Sequence, residues 1–214
     1  MLRQYQILSN KVLGEIKRIE VNIVKEERGK FMPIGQANLE EFSMSVKKLE
    51  FFNWIVEELH LITNLSNTRH LVIRINFGEL TSPILLKLLE YLKKEKNLFH
   101  IELQIRDSYQ FWVDEKSHFS LVEKKAFILG KLRSLKNLGY TIVAENMGNG
   151  IYSLENSNYY IHYIDVIQLQ VESDKLCELK PFIIAWEQYS LIHNTKMRIE
   201  YLGLKTKINC VVTN

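Results

Sequence analysis

Hydrophobic and polar positions follow two different periods along the chain, one typical of strands and the other of helices. Runs with strand character are expected at residues 5–8, 15–24, 70–77, 99–105, 140–145, 163–169, 197–202 and 208–212. The first two runs are separated by Ser9–Gly14, and a glycine at the end of such a link favours a turn. The chain is therefore predicted to open with a β-hairpin.

Longer segments with apolar residues at helical spacing occupy 39–64, 81–95, 121–139 and 174–194. The second segment has Thr81 or Ser82 as its cap and Pro83 in its first turn, and the third stops at Gly139. These signals predict helices with defined ends. The buried face of the first helix is predicted to run through Phe42, Val46, Leu49, Phe52, Ile55, Val56, Leu59 and Ile62.

Strands and helices alternate through most of the chain, which is the pattern of a largely parallel sheet covered by helices. The number of strand candidates in 214 residues favours a (β/α) barrel over an open doubly wound sheet. Neither GxGxxG nor GxxxxGK[ST] occurs in the sequence, so dinucleotide-binding and P-loop interpretations are set aside. We expect an α/β protein with a single domain over residues 1–214.

Composition narrows the class of protein further. The 214 residues include 9 glycines and 3 prolines beside 46% hydrophobic residues, which is typical of a folded globular chain. The formal net charge of +3 and the lack of a basic stripe with interleaved aromatics predict no direct contact with nucleic acid. Apolar runs such as FIIAW at 182–186 are far shorter than a membrane span. Cys177 and Cys210 form neither a metal knuckle nor a disulfide framework. A cytoplasmic location without membrane contact is expected.

Polar residues mark the predicted carboxyl ends of the strands, where barrel enzymes place their chemistry. Carboxylates and amides dominate this set, and their oxygens are the ligands that hard cations prefer. Strand ends that emerge into solvent are also polar, so the pattern alone does not establish a site. The candidates are Glu20, Asn76, Gln104, Asp107, Glu145, Asn146, Gln168, Gln170 and Glu200.

The order and spacing of these residues resemble the EAL-domain family of cyclic di-GMP phosphodiesterases, from Tyr5 to about Leu204. Glu20-Val21-Asn22 stands at the E-A-L signature itself, and Gly29 and Pro33 keep the spacing of the family's G-x-x-x-P. The other matching segments are NFG at 76–78, QIRDS at 104–108, ENMGNG at 145–150, DVIQLQ at 165–170 and IEYLG at 199–203.

The resemblance implies an EAL-type TIM-like barrel whose first strand is antiparallel. Family members hydrolyse a phosphodiester with two divalent cations, which require several anionic oxygen ligands. Because the chain ends at Asn214 without the family's Q-G-[YF] strand, we expect a barrel shortened at its C-terminus, which INCVV at 208–212 could close.

Substitutions at the matching positions predict a degenerate site and a protein that is not an enzyme. Glu20, Glu145 and Glu200 keep a carboxylate, whereas Gln104 and Asn146 stand where the family has carboxylates. An amide does not supply the charge that holds two dications together. Gln168 replaces the family's lysine, and Val24 stands at the position of its phosphate-binding arginine.

The resemblance therefore favours a catalytically inactive regulator that binds another protein. Degenerate members of the family include regulators that bind the flagellar master regulator FlhDC, so a transcription regulator of motility or virulence genes is the partner expected by analogy. No cofactor is expected, although weak binding of one divalent metal stays open. The alternatives are a cyclic di-GMP receptor that uses Glu20, Asn76 and Glu200 as ligand contacts, and a residual cyclic di-GMP phosphodiesterase.

Overall fold

A computed structural model describes residues 5–12, 18–27, 29–33, 45–94, 99–106, 120–145, 157–172, 175–202 and 209–212. Two of the candidate positions, Asp107 and Asn146, lie outside these ranges, as does the turn residue Gly14. The strands are β1 (Tyr5–Val12), β2 (Arg18–Glu27), β3 (Lys30–Pro33), β4 (His70–Asn76), β5 (His100–Arg106), β6 (Thr141–Glu145), β7 (Val166–Glu172), β8 (Lys196–Leu202) and β9 (Asn209–Val212). The helices are α1 (Ser45–Ser66), α2 (Pro83–Lys94), α3 (Leu121–Asn137) and α4 (Leu176–Ile192).

The strands form one sheet in the order β1-β2-β4-β5-β6-β7-β8-β9, with β3 paired to β2. Each strand from β2 through β4 to β8 runs parallel to its neighbour in that order. This six-strand parallel set with intervening helices confirms the α/β prediction. The set is parallel throughout, so it does not support the expected antiparallel first barrel strand. Antiparallel pairing occurs outside the set, between β1 and β2, β2 and β3, and β8 and β9.

The parallel set curls so that its opposite ends approach each other. Arg18 on β2 and Arg198 on β8 both donate hydrogen bonds to Glu102 on β5. Among the described residues no backbone ladder joins β9 to β1 or β2, so the sheet is barrel-like without hydrogen-bonded closure there. The segment expected to close the barrel instead folds back onto β8, where Asn209 pairs with Glu200.

The opening hairpin is longer than its sequence predicts. β1 continues through Ser9–Val12, and Val12 pairs with Arg18, so the strand includes most of the segment expected as a turn. Strand β3 was missed. Glu27 pairs with Lys30 across a two-residue link that contains Gly29, whose φ is +74°. A positive φ at a glycine is typical of such short hairpin turns. The signal in the sequence was Gly29 itself, in the segment ERGK at 27–30.

Helix α1 buries a different face near its start from the predicted one. Leu49 is 51% exposed, whereas Phe51 is fully buried. At about 100° per residue, Leu49 lies about 120° around the helix from Ile55, in the middle of the buried stripe. Phe52, Ile55 and Leu59 are buried as predicted. Phe42 lies outside the described residues.

The predicted helix boundaries are confirmed where capping signals were clear. Pro83 is the first residue of α2, and the Ser82 hydroxyl accepts a hydrogen bond from the Leu85 N–H at 3.5 Å. After α3, Gly139 has a φ of +82°, its N–H donates to the Lys136 carbonyl, and the Tyr140 N–H donates to the Leu135 carbonyl. This pair of bonds is the Schellman arrangement that a glycine in the left-handed region permits.

The hydrophobic core lies between the outer face of the sheet and the helices. Alternate side chains of the parallel strands point outward, and these are apolar, as in Leu71, Ile73 and Ile75 of β4. They belong to one cluster with buried residues of the helices, including Ile55, Leu88, Leu132 and Trp186. The inner face of the sheet carries the remaining alternate positions of the strands.

No helix within the described ranges combines the length and apolarity that crossing a bilayer requires.

Helix α3 offers a direct test of its capping. Ser120 forms a capping box, in which its hydroxyl accepts from the Glu123 N–H while the Glu123 carboxylate accepts from the Ser120 N–H at 2.7 Å. We expect Ser120→Ala to lower the free energy of unfolding by about 1 kcal/mol. Ser134→Ala is the matched control, because this exposed serine bonds only the Gly130 carbonyl of its own helix and alanine is the better helix former. Urea unfolding of both variants measures the difference, and equal midpoints would contradict the prediction.

Candidate functional site

The inner face of the parallel sheet is lined by charged and amide side chains. They alternate with the outward apolar residues along each strand, because successive side chains of a strand point to opposite faces. The set comprises Arg18, Glu20 and Asn22 of β2, Arg74 and Asn76 of β4, Glu102, Gln104 and Arg106 of β5, Glu145 of β6, Gln168 and Gln170 of β7, and Arg198 and Glu200 of β8.

Glu102 is the centre of a buried charge cluster. Its carboxylate is 2% exposed and accepts two hydrogen bonds from Arg198, at 2.7 and 3.0 Å, and one from Arg18 at 3.2 Å. Burial opposes ionisation of this group, but the hydrogen bonds and charge of Arg198, together with Arg18, outweigh burial and lower the pKa of Glu102 from 4.5 to about 2. Glu102 is therefore a carboxylate throughout the physiological range.

His70 lies at the edge of this cluster, and its buried Nε2 atom has no hydrogen-bond partner among the residues that the structure describes. Nε2 is 3.8 Å from a Glu102 oxygen, and the ring centroid is 4.5 Å from that of His100. Burial lowers the pKa of His70 to about 4, helped by His100 and the two arginines and opposed by Glu102. The imidazole is therefore neutral at pH 7.

Amide side chains connect the Glu102 cluster to Glu200. Gln104 Nε2 donates to Glu102 at 3.1 Å, and its distance to the Gln168 oxygen is 3.4 Å. The same Gln168 oxygen accepts from Arg198, while Gln168 Nε2 donates to Glu200 at 3.2 Å. Gln170 Nε2 donates to Glu200 at 2.9 Å and to Glu145 at 3.1 Å. Both hydrogen-bonding ends of Gln168 are thus used within the network.

Arg74 occupies the space between three oxygen acceptors. Its Nη1 donates to Glu20 at 3.1 Å, its Nε donates to the Gln104 oxygen at 3.1 Å, and its Nη2 lies 3.4 Å from Glu145. Glu145 is fully buried and also accepts two hydrogen bonds from Arg106, both at 3.2 Å. The carboxylates of this layer are therefore neutralised by guanidinium groups.

Asn76 is turned away from this cluster. Its Oδ1 accepts a hydrogen bond from the Glu79 N–H at 3.0 Å, and its own N–H donates to the Glu79 carboxylate at 2.9 Å. Burial raises the pKa of Glu79, and the bond from Asn76 opposes this shift. The amide oxygen that the resemblance assigns to ligand binding instead stabilises the turn after β4.

The structure brings most of the predicted site residues together but changes their setting. Glu20, Gln104, Glu145, Gln168 and Glu200 share one continuous side-chain network. Asn76 and Glu145 end their strands, and three further candidates lie two residues before the ends of theirs: Gln104, Gln170 and Glu200. Glu20 and Gln168 lie further inside, because β2 ends at Glu27 and β7 at Glu172, beyond the predicted limits of 24 and 169.

Sequence reasoning missed the cations of the network and one of its anions. They are Arg18, Arg74, Arg106, Arg198 and Glu102. The signal for a polar inner face was the alternation in HLVIRIN (β4) and HIELQIR (β5). Most of the residues at every second position of these two strands are polar. Buried parallel strands usually read as continuous apolar runs, so this alternation indicates a polar inner face.

The two divalent cations implied by the resemblance do not fit this donor set. Among the described residues no group of three or more His, Cys, Asp and Glu side chains is arranged to hold a metal ion. Glu20 and Glu145 already accept hydrogen bonds from arginines, and Gln104 contributes an uncharged oxygen. Paired dications need several anionic ligands at short distance, and these side chains do not supply them.

A cavity of about 470 Å³ adjoins the network. Glu20, Arg74, Asn76 and Arg106 contribute polar groups to its lining, which also includes apolar residues of β4 and α2. The Arg106 side chain is 49% exposed. The cavity therefore presents the side chains of Arg74 and Arg106 beside the Glu20 carboxylate, which Arg74 neutralises.

Solved structures with a similar fold contain EAL domains. The EAL enzyme Bd1971, bound to cAMP and cyclic di-GMP, matches with a TM-score of 0.56 and 12% identity, covering 95% of this chain and 56% of that chain. The YkuI protein of Bacillus subtilis, which has an EAL domain and is bound to its substrate cyclic di-GMP and calcium, matches with a TM-score of 0.54 and 16% identity over 92% and 48%.

The EAL domain of FimX from Xanthomonas citri, in complex with cyclic di-GMP, has a TM-score of 0.56 and 10% identity, covering 97% of this chain and 85% of that domain. The chain thus spans about half the length of the first two proteins and most of the third. No family model matches the sequence, and neither does any curated protein. At these identities the likeness establishes an EAL-type fold.

The buried cluster predicts a large cost for removing its anion. Glu102→Gln leaves Arg18 and Arg198 without a counter-charge, and breaking a buried ion pair in this way costs about 3–5 kcal/mol of unfolding free energy. Glu172→Gln is the matched control, because Glu172 forms a half-exposed pair with Lys175 and such pairs contribute about 0–1 kcal/mol. Denaturant unfolding compares the two variants, and similar small losses would contradict a central role for Glu102.

His70 predicts a specific pH dependence of stability. Because its pKa falls from 6.5 to about 4 on folding, the unfolded chain binds the proton more readily between these values. Stability linked to His70 is therefore complete above pH 6.5 and is lost as the pH falls toward 4. We expect His70→Gln to weaken this decline, and His162→Gln, at an exposed histidine, to preserve it. Unfolding free energies measured across this window check the difference, and parallel curves for His70→Gln and the unaltered chain would contradict it.

Proposed function

We propose that this chain is a catalytically inactive EAL-like regulator that acts by binding another protein, with a transcription regulator as the expected class of partner. The observation that carries the first half is the position of Arg74 between Glu20, Gln104 and Glu145. A guanidinium group there neutralises the carboxylates that would otherwise attract a dication. The partner class comes from the resemblance to degenerate EAL-like proteins.

Charge on the inner face supports the absence of turnover. Phosphodiester hydrolysis by two metal ions requires them to activate a water and to stabilise the leaving oxygen. Here the single side-chain oxygen of Gln168 receives hydrogen bonds from Arg198 and Gln104, and Glu200 receives them from two glutamines. Because these acceptors are already engaged by side chains of the sheet, the network supports a structural role for them.

Exposed apolar side chains support the part of the proposal that concerns binding of another protein. Helix α4 exposes Leu176, Ile184, Leu191 and Ile192, which are 39%, 41%, 48% and 75% accessible. Four exposed apolar side chains on one helix supply the kind of surface that protein interfaces use. This feature favours a protein partner over a purely small-molecule role.

A second candidate is a cyclic di-GMP receptor without hydrolytic activity. It is favoured by the cavity beside Arg74 and Arg106, because a half-exposed guanidinium group is suited to a phosphate. The similar structures of Bd1971, YkuI and FimX contain cyclic di-GMP. Both candidates rest on the EAL-type fold. They differ in what the chain binds, which is a protein in the main proposal and cyclic di-GMP in this one.

Calorimetry and a hydrolysis assay distinguish the candidates. With cyclic di-GMP and Mg²⁺ or Mn²⁺, we expect no binding heat at micromolar nucleotide and no release of linear pGpG, because the carboxylates are already paired. An active EAL enzyme serves as the positive control for both assays. Micromolar binding without hydrolysis would replace the proposal by the receptor function, and hydrolysis that is lost in Glu20→Ala would overturn it.

The partner requires its own experiment. Affinity purification of the tagged chain, with mass spectrometry and reconstitution from purified components, should yield a stable complex with one protein. Deletion of the gene should change the transcript levels of the genes that this partner controls, and transcript profiling measures that change. Failure to recover any stable protein partner would count against the proposal.

A further inference from the structure

We infer that the Arg74 side chain is a built-in cation of this site, and that a divalent ion and the Arg74 guanidinium exclude each other. The inference deepens the proposed function, and it rests on that proposal for its biological meaning. It names the single side chain that keeps the site free of metal. It also implies that the oxygen donors around Arg74 form a latent cation site.

Each nitrogen of the guanidinium group faces an oxygen from a different strand. Nη1 contacts Glu20 of β2, Nε contacts Gln104 of β5, and Nη2 contacts Glu145 of β6, at 3.1, 3.1 and 3.4 Å. Carboxylate and amide oxygens that converge from three strands are the donor types that hard cations use. The guanidinium therefore lies where such an ion would be coordinated.

The distances show why both cannot be present. A Mg²⁺–oxygen bond is about 2.0–2.1 Å long, so oxygens that now lie about 3 Å from the guanidinium nitrogens would have to converge on the volume that Arg74 fills. Arg74 is 24% exposed and Glu145 is fully buried, so water offers little alternative solvation to the carboxylate. Entry of a dication requires the guanidinium to leave.

Charge balance leads to the same result. On the described inner face, the network contains as many arginines as glutamates. The arginines are Arg18, Arg74, Arg106 and Arg198, and the glutamates are Glu20, Glu102, Glu145 and Glu200. A dication added to this balanced set leaves an excess of positive charge in a region of low solvent access, which is strongly unfavourable. Removing the charge of Arg74 creates the deficit that a cation can fill.

Metal binding to the full chain tests the inference without nucleotide or partner. We expect Mn²⁺ at millimolar concentration to leave the Tm of the unaltered chain unchanged and to raise that of Arg74→Gln by several degrees, because a ligand that binds only the folded state stabilises it. Isothermal titration with Mn²⁺ provides the affinity. The double variant Arg74→Gln with Glu20→Gln should lose the gain.

Arg106→Gln is the matched control. Arg106 also bonds Glu145, but it is 49% exposed and has no hydrogen bond to Glu20 or Gln104 among the described contacts, so its loss should not create Mn²⁺ affinity. If Arg74→Gln is unfolded without metal, Mn²⁺ added during refolding should restore its far-UV circular dichroism signal. Three results overturn the inference. They are a folded Arg74→Gln variant whose Tm does not change with Mn²⁺, a variant that stays unfolded when Mn²⁺ is added, and equal Mn²⁺ binding by the unaltered chain. Because partner capture uses other measurements, failure here is distinguishable from failure of the proposed function.

Discussion

The buried ion cluster at Glu102 is the interaction on which the inner face of the sheet depends. Arg18 and Arg198 belong to strands at opposite ends of the parallel set, and both bond the same carboxylate on the middle strand β5. Removing charges from water costs several kcal/mol per ion, so such a cluster is stable only when its geometry and remaining hydrogen bonds are satisfied. Glu102 meets that condition through two hydrogen bonds from Arg198, one from Arg18 and one from Gln104, whereas the buried Nε of Arg18 has no hydrogen-bond partner among the described residues.

The same constraint extends to the layer that contains the candidate site. Once the interior is polar, each carboxylate requires a cation or several donors, and arginines on neighbouring strands provide them. Glu145 is an example, because it is fully buried and accepts from Arg106 and Gln170 while lying beside Arg74. On this sheet, internal arginines are therefore the counter-ions of the acidic positions.

Local signals predicted the helix ends, whereas the charge pairs were not accessible from the sequence. Gly139 and Pro83 act on their immediate neighbours, so their effects can be read from a short segment. The bond between Arg74 and Glu20 joins residues 54 positions apart, and its existence depends on how far the sheet curls. Asn76 shows a second limit, because its amide has a local partner in Glu79 that competes with any role in ligand binding.

If Arg74 and a divalent ion exclude each other, as proposed, the contacts of Arg74 also determine the order in which substitutions create a metal site. A change of Gln104→Glu with Arg74 in place adds a carboxylate next to the guanidinium and holds it more firmly. Loss of Arg74 with Gln104 in place leaves the buried Glu145 and the partly buried Glu20 short of a counter-charge. Under the proposed exclusion, that deficit is what a divalent ion fills, so loss of Arg74 has to come before Gln104→Glu. The order of the two substitutions therefore matters, because Gln104→Glu favours a metal ion only after the guanidinium group has been removed.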